Sequence, residues 1–228
     1  MRLIHKEYQF LLELNEHNKS MLIIENPTIF CEMIQEIMLG IEGEDCKFIL
    51  SENNRLLKIQ ECMRCIINPF SLSLNERKMV SKLHEVLKKE IQSSELLLEC
   101  NEIYSMIDKF GTHLVHLSDW EIEYADKFDV QSLIKFMDIK FIENSDILIE
   151  RIIQYIQVTH DLLHIRCFVF VNLLAYINKY EIEKLYEFAQ YHKIYIILFE
   201  SKQPQNFQYF KPAVIIDQDG CEILFNMS

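Results

Sequence analysis

Two histidines one helical turn apart are the first residues of this sequence whose spacing could support chemistry. His160 and His164 lie in the run HDLLH, which imitates the HExxH pattern of zinc proteases. Histidines at positions i and i+4 share a helix face and can bind one metal ion. However, Asp161 stands where the general base should be a glutamate, and no third ligand follows at a recognised spacing. A metal-dependent hydrolase and a polar helix end are both open.

A cysteine pair and the four glycines give little support to zinc or nucleotide chemistry. Cys62 and Cys65 form a single CxxC on a predicted strand, where we expect core packing because no second pair follows. No glycine belongs to a GxxxxGK[ST] or GxGxxG motif, whose backbone N–H groups would close on phosphates. Asn172 ends an apolar run where a nucleotide-binding fold would place a magnesium-holding acid. We therefore expect no nucleotide cofactor.

Basic side chains form a local cluster in an otherwise acidic chain. The net charge of −12 argues against a generic nucleic-acid-binding surface. Nevertheless, a predicted helical arm carries Arg77, Lys78, Lys82, Lys88 and Lys89, and the next predicted helix ends near Lys135 and Lys140. This pattern fits both a phosphate-binding face and an ordinary solvated helix face.

Acidic side chains crowd the segment that follows the arm, residues 119–129, which we call the acidic connector. They are Asp119, Glu121, Glu123, Asp126 and Asp129. Closely spaced carboxylates repel one another unless water disperses them or a hard cation such as calcium neutralises them. The segment has no glycine and lacks the ligand spacing of an EF-hand. An irregular calcium site and a solvated loop are both open.

The elements that must position these residues are strands and helices on either side of a helical middle third. Apolar runs predict strands at 10–14, 21–24, 46–50, 62–67, 165–171, 194–199, 213–216 and 221–225. Helices are predicted after Asn26-Pro27 and over 146–158 and 180–191. The continuous apolar runs at 165–171 and 194–199 are typical of strands buried on both faces of a parallel sheet.

The middle third of the chain has helical periodicity. Residues 75–117 contain no proline and predict two long helices, or one helix interrupted near Ser93-Ser94. A further helix is predicted from Asp129 to Met137. We expect an α/β head with a parallel-rich sheet from residues 1–72 and 139–228, and an inserted long-helix leg from residues 73–138.

Composition indicates the compartment. Half of the 228 residues are hydrophobic, but no apolar run approaches the roughly 18 residues of a membrane span, and the first residues lack a signal pattern. The seven cysteines are an odd number without framework spacing, as expected for reduced thiols. We expect a cytoplasmic protein with no membrane partner.

Longer runs of the sequence resemble a known family. The run EIEYADKFDVQSLIKFMDIKF at 121–141 is similar to the acidic connector, Leu-Ile-Lys helix and short lysine-containing strand of the Csn-two family, accessory proteins of spacer acquisition in type II-A CRISPR loci. Residues 144–160 and 167–200 resemble its next helix, strand, crossover helix and strand. MLIIENPTIFCEMIQEI at 21–37 resembles its early strand and helix.

The resemblance implies a fold and a function. The fold is a head shaped like a P-loop ATPase, without Walker motifs or bound nucleotide, plus a helical leg. The function is non-enzymatic. A homotetrameric ring, stabilised by Ca²⁺, threads double-stranded DNA ends through a lysine-lined hole. Its partners are the CRISPR integrase complex and the RNA-guided effector nuclease.

The same resemblance implies site residues. Lys135 and Lys140 match the family's lysines, and the five arm cations are added to them from the sequence pattern. Glu121, Glu123 and Asp126 fall on the calcium-binding connector. Two alternatives stay open, namely a degenerate NTPase-like protein-interaction module and a metal-dependent hydrolase that uses His160 and His164.

Overall fold

The computed structural model describes residues 1–15, 17–125, 129–143, 145–205, 210 and 213–225. The chain divides into two compact units, one formed by residues 1–73 and 144–228 and the other by residues 74–143. We call them the α/β unit and the helical unit.

The described part of the α/β unit contains two sheets and four helices. Its strands are β1 (Arg2–His5), β2 (Leu11–Glu13), β3 (Ser20–Ile24), β4 (Phe48–Glu52), β5 (Arg55–Leu57), β6 (Met63–Ile66), β7 (Cys167–Val171), β8 (Tyr195–Glu200), β9 (Ala213–Ile216) and β10 (Glu222–Phe225). Its helices are α1 (Pro27–Glu42), α2 (Ile59–Cys62), α6 (Leu148–Leu163) and α7 (Lys179–His192). Short 3₁₀ turns lie at Pro69–Ser71 and Leu173–Ala175.

The larger sheet confirms the mixed α/β class and the parallel-rich topology. Its strand order is β10-β9-β3-β8-β7-β6, and every neighbouring pair is parallel except β9 and β10. All residues of β7 are buried, as its continuous apolar sequence predicts. Phe168 and Phe170 pack with α6 and α7 on one face, whereas Val169 and Phe199 pack with α1 on the other.

A smaller antiparallel sheet, in the order β2-β1-β4-β5, was not predicted as a separate layer. The predicted strands at 10–14 and 46–50 lie here rather than in the main sheet. Strands β1 and β5 were missed because runs of three or four residues give too few positions for a period of two to be detected.

The helical unit contains α3 (Arg77–Gln92), α4 (Leu96–Leu117) and α5 (Val130–Phe136). The predicted interruption near Ser93-Ser94 is confirmed, and α5 packs against α3. The Asn75 side chain closes the base of the unit, since its Nδ2 donates to Phe141 O at 3.1 Å and its Oδ1 accepts from Phe141 N at 2.9 Å. The helical unit therefore extends beyond residue 138, where the predicted leg ends.

The prediction of a short strand around Lys140 is wrong. Residues 139–143 pair with no strand in the described part of the chain and are held by side chains instead, including His84, whose Nε2 lies 2.9 Å from Ile139 O. Because the His84 side chain forms a hydrogen bond with the backbone here, the segment does not have to pair with a strand to satisfy that backbone group.

Candidate functional site

The first turn of α3 carries two cations in an unfavourable position for the helix itself. Arg77 and Lys78 are exposed at the N-terminus, where the helix dipole is positive, and no acidic residue lies in that turn. Glu76 precedes them but makes no side-chain capping bond. Because these charges oppose the dipole, they are suited to an external anion rather than to helix stability.

Three of the predicted DNA-binding cations are already paired with acids. The Nζ–Oε2 distance from Lys82 to Glu85 is 2.7 Å, the Nζ–Oδ2 distance from Lys88 to Asp129 is 3.5 Å, and that from Lys140 to Asp138 is 2.5 Å. All three pairs lie at the surface, with Lys82 and Lys88 partly buried, so each contributes little to stability and can be exchanged for a phosphate at small cost.

The other four candidate cations make no ion pair among the residues that the structure describes, although the charge of Lys89 lies near enough to Glu85 to help lower the pKa of that carboxyl group. They are Arg77, Lys78, Lys89 and Lys135, and all are exposed. Lys135 lies in the last turn of α5, the helix that packs on α3, so the same small unit carries all four. This set, which we call the phosphate set, is the strongest candidate for contacts with DNA.

The acidic connector is divided between different roles. Asp129 caps α5, accepting from Ser132 N at 2.8 Å, and the hydrogen bonds from Ser132 hold the pKa of Asp129 below its ordinary value. Glu121 and Glu123 are exposed, with no ion pair among the described residues. Asp126 lies outside the described residues.

The connector carboxylates suit a hard cation in their chemistry but form no ready cage. Carboxylate oxygen is the ligand that Ca²⁺ prefers. Within residues 17–125, 129–143 and the other described ranges, however, no group of three His, Cys, Asp or Glu side chains is placed to hold a metal ion. The metal-binding prediction for Glu121, Glu123 and Asp126 therefore stays a prediction.

The histidine pair does not have the geometry that the HDLLH pattern suggested. His160 lies in the last turn of α6, and its Nδ1 is 2.8 Å from Ile165 O. His164 caps the C-terminus in the left-handed conformation, with φ 57°. Since His164 has left the helical path, the two side chains do not present the shared helix face that zinc proteases use.

The single CxxC also has no zinc-site geometry. Cys62 is the last residue of α2, not part of a strand as predicted, and Cys65 lies in β6. Burial raises the pKa of the Cys65 thiol to about 12, so this thiol is unreactive at neutral pH. Packing is sufficient to explain both residues.

A cavity lies at the carboxyl edge of the main sheet, next to the start of α1. The backbone N–H groups at the start of this helix are not free to bind a phosphate. The cavity, of about 680 Å³, is lined by Glu25, Phe30 and Asn172 among others. Asn26 uses the helix donors itself, since its Oδ1 accepts from Thr28 N at 3.0 Å and from Ile29 N at 3.3 Å, and its backbone oxygen accepts from Phe30 N. Pro27 has no N–H.

One face of α4 exposes large apolar side chains that the sequence periodicity alone would place in a core. Met106, Phe110, Leu114 and Leu117 are 46–81% exposed, and their spacing puts them on one side of the helix. We call them the α4 stripe. The sequence did contain evidence for an exposed apolar face, because α4 has more apolar positions than one packed face requires.

A second feature that sequence reasoning missed is Gly111. It is the one glycine within residues 75–117 and it lies in the interior of α4, where Tyr124 covers it. A glycine inside a helical pattern indicates a packing or functional reason.

Comparisons with known proteins agree on one family. Residues 41–220 match the family described as CRISPR-associated protein (Cas_Csn2). The CRISPR-associated protein Csn2 of Streptococcus agalactiae is 24% identical over 217 residues, which cover 92% of each chain. The Csn2 protein of Enterococcus faecalis is 28% identical over 115 residues, covering 47% of this chain and 52% of the relative.

The described part of the chain contains no helix with the length and apolar character needed to span a membrane. The runs at 121–141, 144–160 and 167–200, which carried most of the resemblance noted in the sequence, lie within the family match, whereas residues 21–37 lie before it. Because that match covers well over half of the chain, this protein belongs to the Csn2 (Csn-two) family of CRISPR-associated proteins.

Proposed function

We propose that this chain is a non-enzymatic accessory protein of CRISPR spacer acquisition that binds double-stranded DNA ends inside a homotetrameric ring. The observation that carries the proposal is the phosphate set, in which two of the four cations oppose the dipole of α3. Side chains that cost helix stability and meet no acid in the described part of the chain are suited to phosphate. The family supplies the CRISPR context.

A ring reconciles DNA binding with an acidic chain. Each copy carries a net charge of −12, so an isolated copy repels phosphate over most of its surface. In a ring, the cations of four copies face one channel, where their fields add. The acidic exterior then disfavours binding elsewhere. The sequence has no base-reading motif, so binding is independent of DNA sequence and steeply dependent on salt.

The α4 stripe supports self-association. Four large apolar side chains on one helix face form a surface that monomeric proteins rarely leave exposed. A second copy of the same helix offers a matching stripe, and burying each side chain contributes on the order of 1.5–3 kcal/mol. We assign this surface to assembly of the ring.

Calcium is proposed as a stabilising ion, with Glu121, Glu123 and Asp126 as its ligands. Bound there, it would neutralise the repulsion among the connector carboxylates. The chain's own contribution is to provide exposed oxygen ligands of the correct chemical type at Glu121 and Glu123. The other ligands of the calcium ion are supplied by neighbouring copies in the assembled ring or by the rest of the acidic connector.

The α/β unit is proposed to be a head related to P-loop ATPases that has lost nucleotide binding. Asn26 and Pro27 remove the backbone donors that phosphates would need at the start of α1. This head is then free to act as a platform for the integrase complex and the effector nuclease. Action in the cytoplasm suits the seven free cysteines.

A gel-shift experiment with linear and closed-circular DNA of the same sequence tests the ring. We expect the linear form alone to be retained, with retention lost as salt rises and weakened by a calcium chelator. Equal retention of both forms would contradict threading and indicate surface binding. If neither form is retained while the protein still binds integrase or nuclease, the chain is a protein-interaction module instead.

A further inference from the structure

The outer face of α7 carries two tyrosines that have little contact with the rest of the described chain. Tyr180 and Tyr191 are 75% and 84% exposed, although each ring is a large and mostly apolar group. The opposite side of the same helix packs into the core through Ile182, Leu185 and Ala189. Two exposed aromatic side chains on a helix whose other side is packed indicate a contact surface, because tyrosine is enriched where proteins meet.

One lysine and one glutamate lie between the two tyrosines on the same face of the helix. Tyr180, Lys184, Glu187 and Tyr191 are spaced by four, three and four residues, so they form a narrow stripe about 16 Å long. We call these four residues the α7 stripe, and all of them are exposed. The two charges of the stripe cancel, so it does not add to the repulsion between two copies of a chain whose net charge is −12.

The charges of the α7 stripe are weakly paired within the described part of the chain. Lys184 and Glu187 are one helical turn apart but form no ion pair with each other. The Nζ atom of Lys184 lies 3.7 Å from Glu150 Oε1, and both side chains of that pair are nearly half exposed, so the pair contributes little to stability. Glu187 makes no ion pair among the described residues. Both charged groups are therefore available to a partner of opposite charge on another molecule.

The order of residue types makes the α7 stripe complementary to itself. The two tyrosines and the two charged residues are centred on the same point of the helix. A two-fold axis through this point, with a second α7 running antiparallel, places Lys184 of each copy opposite Glu187 of the other. The same operation places each Tyr180 opposite a Tyr191. Because a two-fold contact repeats every interaction, one lysine and one glutamate per copy give two ion pairs, with an aromatic pair at either end to exclude water.

We propose that the α7 stripe is a two-fold contact between two copies of this chain. One helix per copy buries less than the roughly 800 Å² per partner of a stable pair, so this contact acts together with another. That second part of the inference rests on the homotetrameric ring proposed above. A closed tetramer with two-fold contacts needs two different self-complementary surfaces on every chain, and the α4 stripe alone would give only pairs. The α7 stripe is the other surface, and it joins pairs into the ring.

Charge reversal tests the pairing across the two-fold axis. Lys184→Glu places two glutamates opposite each other at two points of the contact, and Glu187→Lys does the same with two lysines. We expect each single reversal to weaken this contact by at least about tenfold. The double variant Lys184→Glu/Glu187→Lys restores opposite charges at both points, so its assembly should return close to that of wild type. Lys58→Glu is the matched control, because Lys58 is 70% exposed and pairs with Glu61 in the same unit.

Sedimentation velocity over a concentration series measures the number of copies, with helix content checked by circular dichroism. We expect four copies for wild type, Lys58→Glu and the double variant, and two copies for each single reversal.

The possible outcomes separate the α7 contact from the ring. If wild type reaches only two copies and the single reversals are monomeric, the ring is overturned and the α7 contact is supported. If the single reversals assemble like wild type, or if the double variant assembles no better than the single reversals, the α7 contact is overturned and the ring is judged by the size of wild type alone. A wild type that stays monomeric at every concentration overturns both.

Discussion

Glu200 is a buried carboxyl group of the α/β unit. It lies at the end of β8 and is 5% exposed, and its Oε1 accepts from Leu174 N at 3.1 Å. Burial raises its pKa to about 7, and the backbone N–H groups of Leu173 and Leu174 only partly oppose that rise. The folded α/β unit therefore keeps a substantial fraction of Glu200 as the neutral acid near neutral pH.

This raised pKa makes the stability of the protein depend on pH in a defined direction. The ordinary pKa is 4.5, so between about 4.5 and 7 the folded state binds more protons than the unfolded state. The free energy of unfolding consequently falls as pH rises through that window. Glu200→Gln keeps an oxygen for Leu174 N and cannot ionise, so we expect it to be more stable than wild type at pH 8 by about 1–3 kcal/mol.

Urea unfolding at pH 5 and pH 8 checks this expectation. The difference between Glu200→Gln and wild type should shrink toward zero at pH 5, because Glu200 is then largely protonated in the folded state. A difference that is the same at both pH values would mean that the carboxyl group is ionised throughout and that its burial is compensated in another way.

At the scale of elements, long segments with a clear apolar period could be predicted from the sequence. Short strands, and segments whose backbone is bonded by side chains from elsewhere in the chain, could not. The break between α3 and α4 and the buried strands β7 and β8 follow from apolar spacing alone. The strand expected at Lys140 fails because Asn75 and His84, which lie far away in sequence, bond the backbone there. Local patterns carry no signal for such partners.

The candidate site, too, could be predicted from the sequence only in part. The sequence indicated which cations and acids could matter, since residue type and spacing are local. It could not indicate that Lys88 is paired with Asp129, 41 residues away, or that His164 leaves its helix. These facts depend on side-chain conformation and on one backbone angle, which periodicity does not determine.

The α4 stripe gives a prediction at this scale. Phe110→Glu places a charge in the centre of the proposed contact, so we expect weaker self-association by at least about tenfold with unchanged helix content. Ser105→Glu adds the same charge on another exposed face of α4 and should assemble like wild type. Light scattering coupled to gel filtration measures both, and identical mass distributions for the two variants would remove the stripe from the interface.

At the scale of the whole molecule, salt dependence reports how many phosphates the assembled protein binds. The logarithm of the binding constant falls linearly with the logarithm of salt concentration, by about 0.9 per phosphate neutralised on duplex DNA. Lys135→Gln removes one member of the phosphate set from every copy. We expect weaker binding of linear DNA and a slope that is shallower by about 0.9 for each phosphate that is no longer neutralised.

Lys58→Gln is the control for overall charge. Lys58 is 70% exposed, pairs with Glu61 and lies in the α/β unit outside the candidate set. Its removal changes the net charge of the chain equally but should leave the slope unchanged. If both variants alter the slope alike, the effect is one of general charge and Lys135 has no particular place on DNA.

The order of strands in the main sheet has a consequence for how this chain is made. Among the described strands, β3 pairs only with β8 and β9, and β6 pairs only with β7, so each early strand waits for a partner beyond the inserted helical unit. The contacts of residues 74–143 are local by comparison, and local contacts form quickly. During synthesis the helical unit can be complete while two apolar strands are still unpaired, and this interval is when the nascent chain is most exposed to aggregation.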